Sequence, residues 1–179
     1  ILNKFRVKQG IRIYGQKGTR NILKSFIAHP FTCPIKALPT KLRIGELSEG
    51  AHRVPFRVTC RKLLHGDPCF GYRIELDGKV ITYCTDTGIC DSGLLLAKNA
   101  DVLIHDCAES SRQRSPKWQH AIPAEAANLA KNADVKQLVL FHFSAAVYKS
   151  IEERKEAERD ARLIFKNTVA AVDGMQLNV

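Results

Sequence analysis

Imidazoles and carboxylates at the ends of apolar runs are the first chemistry this sequence offers. Val80-Ile81-Thr82-Tyr83-Cys84 runs through Thr85 into Asp86-Thr87-Gly88. Four β-branched or aromatic residues precede Cys84, so a buried strand is expected, with Asp86 just past its C-terminal end. The pattern recurs where Asp101-Val102-Leu103-Ile104 runs into His105-Asp106, and where Gln137-Leu138-Val139-Leu140-Phe141 runs into His142-Phe143-Ser144. In open α/β sheets this edge is where ligands collect. His65, in His65-Gly66-Asp67-Pro68, follows another strand-like run. Imidazole nitrogen and carboxylate oxygen are the ligand set of zinc-type ions. His65, Asp86 and His142 are therefore candidate metal ligands. Taken singly, a histidine at a strand end is an ordinary boundary residue, and an aspartate before Thr-Gly is a turn former. Their common topological position is what links them.

His120, in Trp118-Gln119-His120-Ala121-Ile122-Pro123, stands just before an expected helix. A positioned histidine can act as general acid or base, with its tautomer fixed by a carboxylate. Asp106, ending a strand, can supply that carboxylate. The plainer alternative is a histidine that only hydrogen-bonds the helix start.

The elements that must position these groups follow from pattern. Residues 11–14 read as a strand closed by Gly15, and Gly18-Thr19 opens a helix with Ile22, Leu23, Phe26 and Ile27 on one face. The prolines at 30, 34 and 39 mark an extended connection, followed by a short strand over 42–47. Residues 54–64 alternate as a half-exposed strand with Arg53, Arg57 and Arg61 on a basic outer side. Strands 70–76 and 79–84 flank Asp77-Gly78, the signature of a type I′ hairpin turn. Asp91-Ser92 is expected to cap a short helix. Strand 101–105, a loop over 107–119, a helix opened by Pro123 and strand 137–141 come next. A helix over 151–165 and terminal strands 168–172 and 175–179 complete the chain. The fold class expected is α/β: a mixed sheet with helices packed on one face, in a single domain spanning 1–179.

With 179 residues, 45% apolar and 26% charged, the composition is that of a globular protein. The formal net charge of +10 points to an anionic partner, such as RNA or another phosphodiester. The six cysteines form no C-x-x-C pair and sit among apolar neighbours, as reduced buried thiols do. No apolar run is long enough to span a bilayer and there is no signal-peptide pattern, so a cytoplasmic location is expected.

Four segments carry a resemblance. They are His65-Gly66-Asp67-Pro68-Cys69-Phe70-Gly71-Tyr72-Arg73, Tyr83-Cys84-Thr85-Asp86-Thr87, Asp101-Val102-Leu103-Ile104-His105-Asp106 and Leu140-Phe141-His142-Phe143-Ser144. In this order they resemble the later motifs of the metallo-β-lactamase superfamily, in its ribonuclease Z-like branch. Tyr14-Gly15 with Lys17-Gly18, and residues 170–175, match as well. The likeness covers nearly the whole chain and is specific as a set. It implies the C-terminal portion of an αββα sandwich around a dinuclear zinc centre, with manganese or iron as alternative metals. By motif, His65 would ligate one ion, His142 the other, and Asp86 would bridge both. His120, oriented by Asp106, resembles the family's proton-transfer histidine. In that chemistry a metal-bound water attacks a phosphodiester or related ester.

The sequence departs from the pattern in two respects. The family's His-x-His-x-Asp-His motif is absent from these residues, which open at Ile1, and His29 and His52 do not replace it. Each metal then keeps one exclusive ligand plus Asp86, so this chain alone is expected to bind zinc weakly and to hydrolyse little. An N-terminal segment or a separate partner chain would have to carry the missing ligands, unless the chain is a degenerate relative; a homo-oligomer is a further partner alternative. The Asp77-Gly78 hairpin also closes the gap where branch members that mature transfer RNA carry a long arm. Thr85 stands where the family commonly has glycine, and Asp106 where it has glutamate. The expected activity is a zinc-dependent, phosphodiesterase-like hydrolase. The alternative is a catalytically incomplete module that binds nucleic acid or a partner chain.

Overall fold

In the computed structural model, which describes residues 7–115 and 118–179, the chain divides into two units, residues 1–48 and 49–179. In the first, strands β1 (Ile11–Gly15) and β2 (Leu42–Glu46) form a parallel ribbon in which Arg12 faces Arg43 and Tyr14 faces Gly45. Between them lie helix α1 (Thr19–Phe26) and a single 3₁₀ turn over Ile35–Ala37. Gly18, at φ +98°, makes the turn into α1 in the left-handed region that suits glycine. The Glu46 carboxylate accepts from the Gly18 and Arg20 amides, 3.1 and 2.9 Å away, and so satisfies donors that a helix start leaves open. The apolar stripe expected on this helix is there, but Ile22 and Phe26 are exposed.

The second unit is built on a seven-stranded sheet in sequential order: β3 (Gly50–Arg53), β4 (Arg57–Lys62), β5 (Phe70–Leu76), β6 (Lys79–Cys84), β7 (Val102–Asp106), β8 (Gln137–Phe141) and β9 (Thr168–Ala170). The first four pair antiparallel and the last four parallel, so the sheet is mixed, as expected. Parallel neighbours need long crossovers. Helices α2 (Asp91–Ala97), α3 (Pro123–Asn132) and α4 (Ile151–Arg162) supply them. Asp77 and Gly78 both have positive φ, 50° and 75°, as a type I′ turn requires.

The core lies between helices and sheet. Leu103, Leu138, Leu140 and Cys84 pack with Leu96 of α2, with Ala126, Ala127 and Ala130 of α3, and with Ala157 and Ala161 of α4. Alanine at these positions lets the helices approach the strands. The Arg73 guanidinium donates to the Leu96 and Lys98 carbonyls at 2.8 and 2.7 Å, closing the C-terminal end of α2. Ser150 and Glu153 cap α4 reciprocally: the Ser150 hydroxyl accepts from the Glu153 amide, and the Glu153 carboxylate accepts from the Ser150 amide.

Several boundaries differ from expectation. The strand expected over 54–64 is confined to β4 at 57–62, because Pro55 has no N–H to give a ladder and the chain turns between β3 and β4 with Val54 N donating to Phe56 O. Asp91 lies in the first turn of α2, and Cys90 takes the capping position. The last helix stops at Arg162. Gly174 makes the expected turn, but residues 175–179 are not a strand. Arg57 and Arg61 do face outward on β4, but carboxylates accompany that edge: Glu75 lies 3.8 Å from Arg57 and 3.5 Å from Arg73.

Gly71 shows how closely the layers meet. A Cβ at this position would fall 2.7 Å from Leu96 Cδ1 and 2.9 Å from Leu63 Cδ2. Gly71→Ala should therefore destabilise the protein by about 1–3 kcal/mol through overpacking, read as a lowered midpoint in urea unfolding.

Candidate metal and hydrolytic site

Strand polarity gathers the candidate residues at one rim. β6, β7 and β8 run parallel, with Cys84 beside His105 and His105 beside Leu140. Asp86, Asp106 and His142 thus emerge at the same edge. β4 is antiparallel to β5, and β5 to β6, so β4 points the same way and delivers His65 there. The Leu64 carbonyl accepts from the Gly88 amide at 3.1 Å and from the Thr87 hydroxyl at 3.1 Å, locking the His65 loop to the Asp86 loop.

Asp86 is the hub of the exposed half of the cluster. Its Oδ1 lies 3.4 Å from His65 Nε2 and 3.7 Å from His142 Nε2. Ligand atoms of His65, Asp86 and His120 fall within 4.8 Å of one another. Asp86 and His142 both have φ of 60°, a left-handed conformation that costs free energy for residues with a Cβ.

Asp106 is the hub of the buried half. It has no solvent exposure. Its Oδ2 accepts from His120 Nδ1 and His142 Nδ1, both at 2.9 Å, and from the Thr87 amide at 3.2 Å. Its Oδ1 accepts from the amides of Ala108 (2.9 Å) and Ala121 (3.1 Å). Burial alone would raise the carboxyl pKa. The hydrogen bonds from His142, Ala108 and His120 outweigh it and hold the group below its usual value. With Nδ1–H committed to Asp106, each of the two rings has Nε2 free as an acceptor or ligand.

His65 approaches through a different anchor, its Nδ1 lying 3.2 Å from the backbone of Asp67. Trp118 stacks on its ring, with centroids 5.5 Å apart and planes 24° apart. A cavity of about 480 Å³ opens beside His120 and His142, and Trp118, Phe143 and Ser144 are among the residues lining it. Arg114 grips Glu125 through two bonds of 2.8 and 3.0 Å, which ties it to the first turn of α3, and also lies 3.5 Å from Glu109.

All five residues picked from sequence, His65, Asp86, Asp106, His120 and His142, therefore meet at one rim. His105 does not, since neighbouring strand residues point to opposite faces. It is fully buried, and its Nδ1 donates to the Asp106 carbonyl. Sequence reasoning missed three features: the second histidine on Asp106, the Trp118 stack and the Arg114 clamp. Only the strand-end position of Asp106 hinted at the first. The donor set, one carboxylate and imidazole Nε2 atoms with anchored Nδ1, suits zinc. It is too small for two closed coordination spheres.

The hydrogen bond to Asp106 also raises the His142 pKa. Burial opposes it, and the charges of Asp106 and Asp86 add to it. In metal-free protein this favours the imidazolium in the fold. The stability it adds is fully present below the unfolded value of about 6.5 and is lost as pH rises through the higher folded value. Urea midpoints in chelator should fall as pH is raised through that window, and Asp106→Asn should flatten the dependence.

Comparison with known proteins bears on the family and the fold. A family model described as "Beta-lactamase superfamily domain" matches residues 1–143. Ribonuclease Z of Bacillus velezensis is 26% identical over an alignment of 226 residues, covering 96% of this chain and 72% of the relative. That alignment is longer than the chain, so the relative carries residues this one lacks within the matched range. The metallo-beta-lactamase fold protein YhfI from Bacillus subtilis superposes with a TM-score of 0.74 at 21% identity, over 94% of this chain and 65% of YhfI. The short form of human tRNase Z (ELAC1) superposes with a TM-score of 0.62 at 26% identity, over 78% of this chain and 62% of that enzyme. The chain thus spans less than two thirds of either solved structure. It belongs to the metallo-β-lactamase superfamily, in its ribonuclease Z-like branch.

Proposed function

We propose that the rim cluster is part of the active site of a zinc-dependent hydrolase acting on phosphodiesters, RNA among them. The observation that carries this reading is Asp86 Oδ1 facing the Nε2 atoms of both His65 and His142 while Asp106 holds the far side of the His142 ring. His65 and His142 would each hold one metal and Asp86 would bridge them, with two zinc ions in the complete fold and manganese or iron as alternatives. When bound, the metal supplies Lewis-acid stabilisation of the phosphoryl charge and a water acidic enough to attack at neutral pH.

The chain's own residues do the rest. Asp106 fixes the His120 tautomer, leaving Nε2 to take a proton and return it to the leaving oxygen. The Trp118 ring on His65 keeps that imidazole turned towards Asp86. The tight Asp77–Gly78 turn leaves no arm at that position to grip a transfer RNA at a distance, so a smaller phosphodiester fits as well as a transfer RNA. Among the described residues no helix is long and apolar enough to cross a membrane. The six free thiols favour a cytoplasmic setting.

The small donor set favours a second reading, a module that binds nucleic acid or a partner chain without turnover by itself. An N-terminal segment or a second chain carrying further ligands would convert one reading into the other. Calorimetric titration of the 179-residue chain should show weak zinc binding, and two tightly held ions would contradict this ligand count. In protein completed with a His-x-His-x-Asp-His segment, Asp86→Ala should abolish hydrolysis of a chromogenic phosphodiester and lower metal content. His120→Ala should slow turnover about 10²–10⁴-fold with metal retained. Metal loss in His120→Ala would instead make it a ligand, and unchanged rates in both variants would sink the assignment.

A further inference from the structure

The net charge of +10 is not spread over the molecule. Residues 1–48 hold ten of the 28 Lys and Arg but only one of the 18 Asp and Glu, a net of +9. Residues 49–179, which carry every candidate catalytic group, are close to neutral, with 18 cations against 17 carboxylates. The one carboxylate of the first unit, Glu46, is already engaged on the α1 amides. Lys8, Arg12, Lys17, Arg20, Lys24, Lys36, Lys41 and Arg43 are all exposed.

Within this unit the β1–β2 ribbon has one polar face. Arg12 and Tyr14 on β1 are exposed, and they alternate with the less exposed Ile11 and Ile13. On β2 the exposed Arg43 alternates with Leu42 and the buried Ile44. The parallel register sets Arg12 directly beside Arg43 and Tyr14 beside Gly45. The Tyr14 ring lies over Gly45: a Cβ there would come within 2.7 Å of Tyr14 Cδ1 and 2.8 Å of Cε1. Tyr14, 37% exposed, thus shares one face of the ribbon with two exposed arginines. Like charges directly opposed across a ladder are destabilising. Neither arginine has an ion-pair partner among the described residues, so the fold itself does not offset that cost. A polyanion would.

We infer that this face of the ribbon is a docking surface for single-stranded nucleic acid, with Arg12 and Arg43 on successive phosphates and the Tyr14 ring as a stacking platform for a base. A single strand is favoured over a duplex because only an unpaired base offers its π-face to Tyr14. The inference deepens the reading of an anionic substrate by naming the surface that grips it, but binding at this face needs neither metal nor turnover.

The test is fluorescence anisotropy of a short labelled oligouridylate with the intact chain in chelator, so that failure of the hydrolase reading leaves the result untouched. Arg12→Ala/Arg43→Ala should weaken binding at low salt about tenfold or more and flatten the slope of log K against log salt by about 1.4, the value for two phosphates of a single strand. Tyr14→Ala should weaken binding about 5- to 100-fold, and Tyr14→Phe should retain it. The β4 control Arg57→Ala/Arg61→Ala should bind as the parent does. The Arg12/Arg43 variant should unfold at the same or a higher temperature, since a repulsive pair is gone. The proposal is overturned if that variant binds unchanged or loses stability. It is equally overturned if the β4 control loses as much, if duplex binds more tightly than single strand, or if the chain binds phosphatidylserine vesicles and no oligonucleotide.

Discussion

A carboxylate with no access to water must be surrounded by donors or give up its charge. Asp106 is surrounded. Five N–H groups converge on its two oxygens, from His120, His142, Thr87, Ala108 and Ala121. The five donors come from four places in the chain order: the loop after β6, the residues just past β7, the loop before α3 and the residue after β8. One buried charge therefore specifies where four segments stop. Two of the three rim histidines, His120 and His142, owe their ring orientation to this buried group. Such a carboxylate is a requirement of the fold as much as of the site, because removing it would leave three buried amides without partners.

The legible part of this design was the part written in local patterns. Apolar runs of strand length, each ending on His or Asp, marked the rim, since a parallel sheet buried on both faces leaves continuous Val, Ile and Leu in its strands. Asp77-Gly78 marked the hairpin because few residues other than Gly, Asn and Asp take positive φ readily. What stayed illegible depends on registers that no local pattern encodes. The bond from His142 to Asp106 spans 36 positions. Trp118 reaches His65 across more than fifty residues of chain. The break at Pro55 was visible as a residue type, yet the alternation around it outweighed the missing N–H. The basic face assigned to β4 was a correct alternation with the wrong consequence, because Glu75 on the neighbouring strand shares that surface.

Net charge is a poor guide to a surface until it is divided by unit. A total of +10 suggests a diffuse attraction to anions. The same total, held almost wholly by the first 48 residues, means the unit bearing the rim histidines attracts a polyanion no more than an ordinary neutral protein surface would. On the reading proposed above, capture and chemistry belong to different stretches of sequence. Substitutions in one should move affinity and salt dependence, and substitutions in the other should move rate and metal content.

The left-handed backbone at Asp86 and His142 bears on how the cluster was assembled. Residues with a Cβ pay for that conformation, by roughly 1–3 kcal/mol each where it is held by its surroundings. Here the surroundings are identifiable. The Asp86 turn is held by the Thr87 and Gly88 bonds to Leu64 and by Thr87 N on Asp106, and the His142 turn is held by Nδ1 on the same carboxylate. Strain at both positions turns the side chains inward over the rim, where Asp86 Oδ1 stands between two Nε2 atoms. A relaxed extended backbone at either residue would send the side chain to one face of the sheet instead. The rim geometry is thus held by the polypeptide itself, through the same buried carboxylate that orders the strand ends and through the bonds to Leu64.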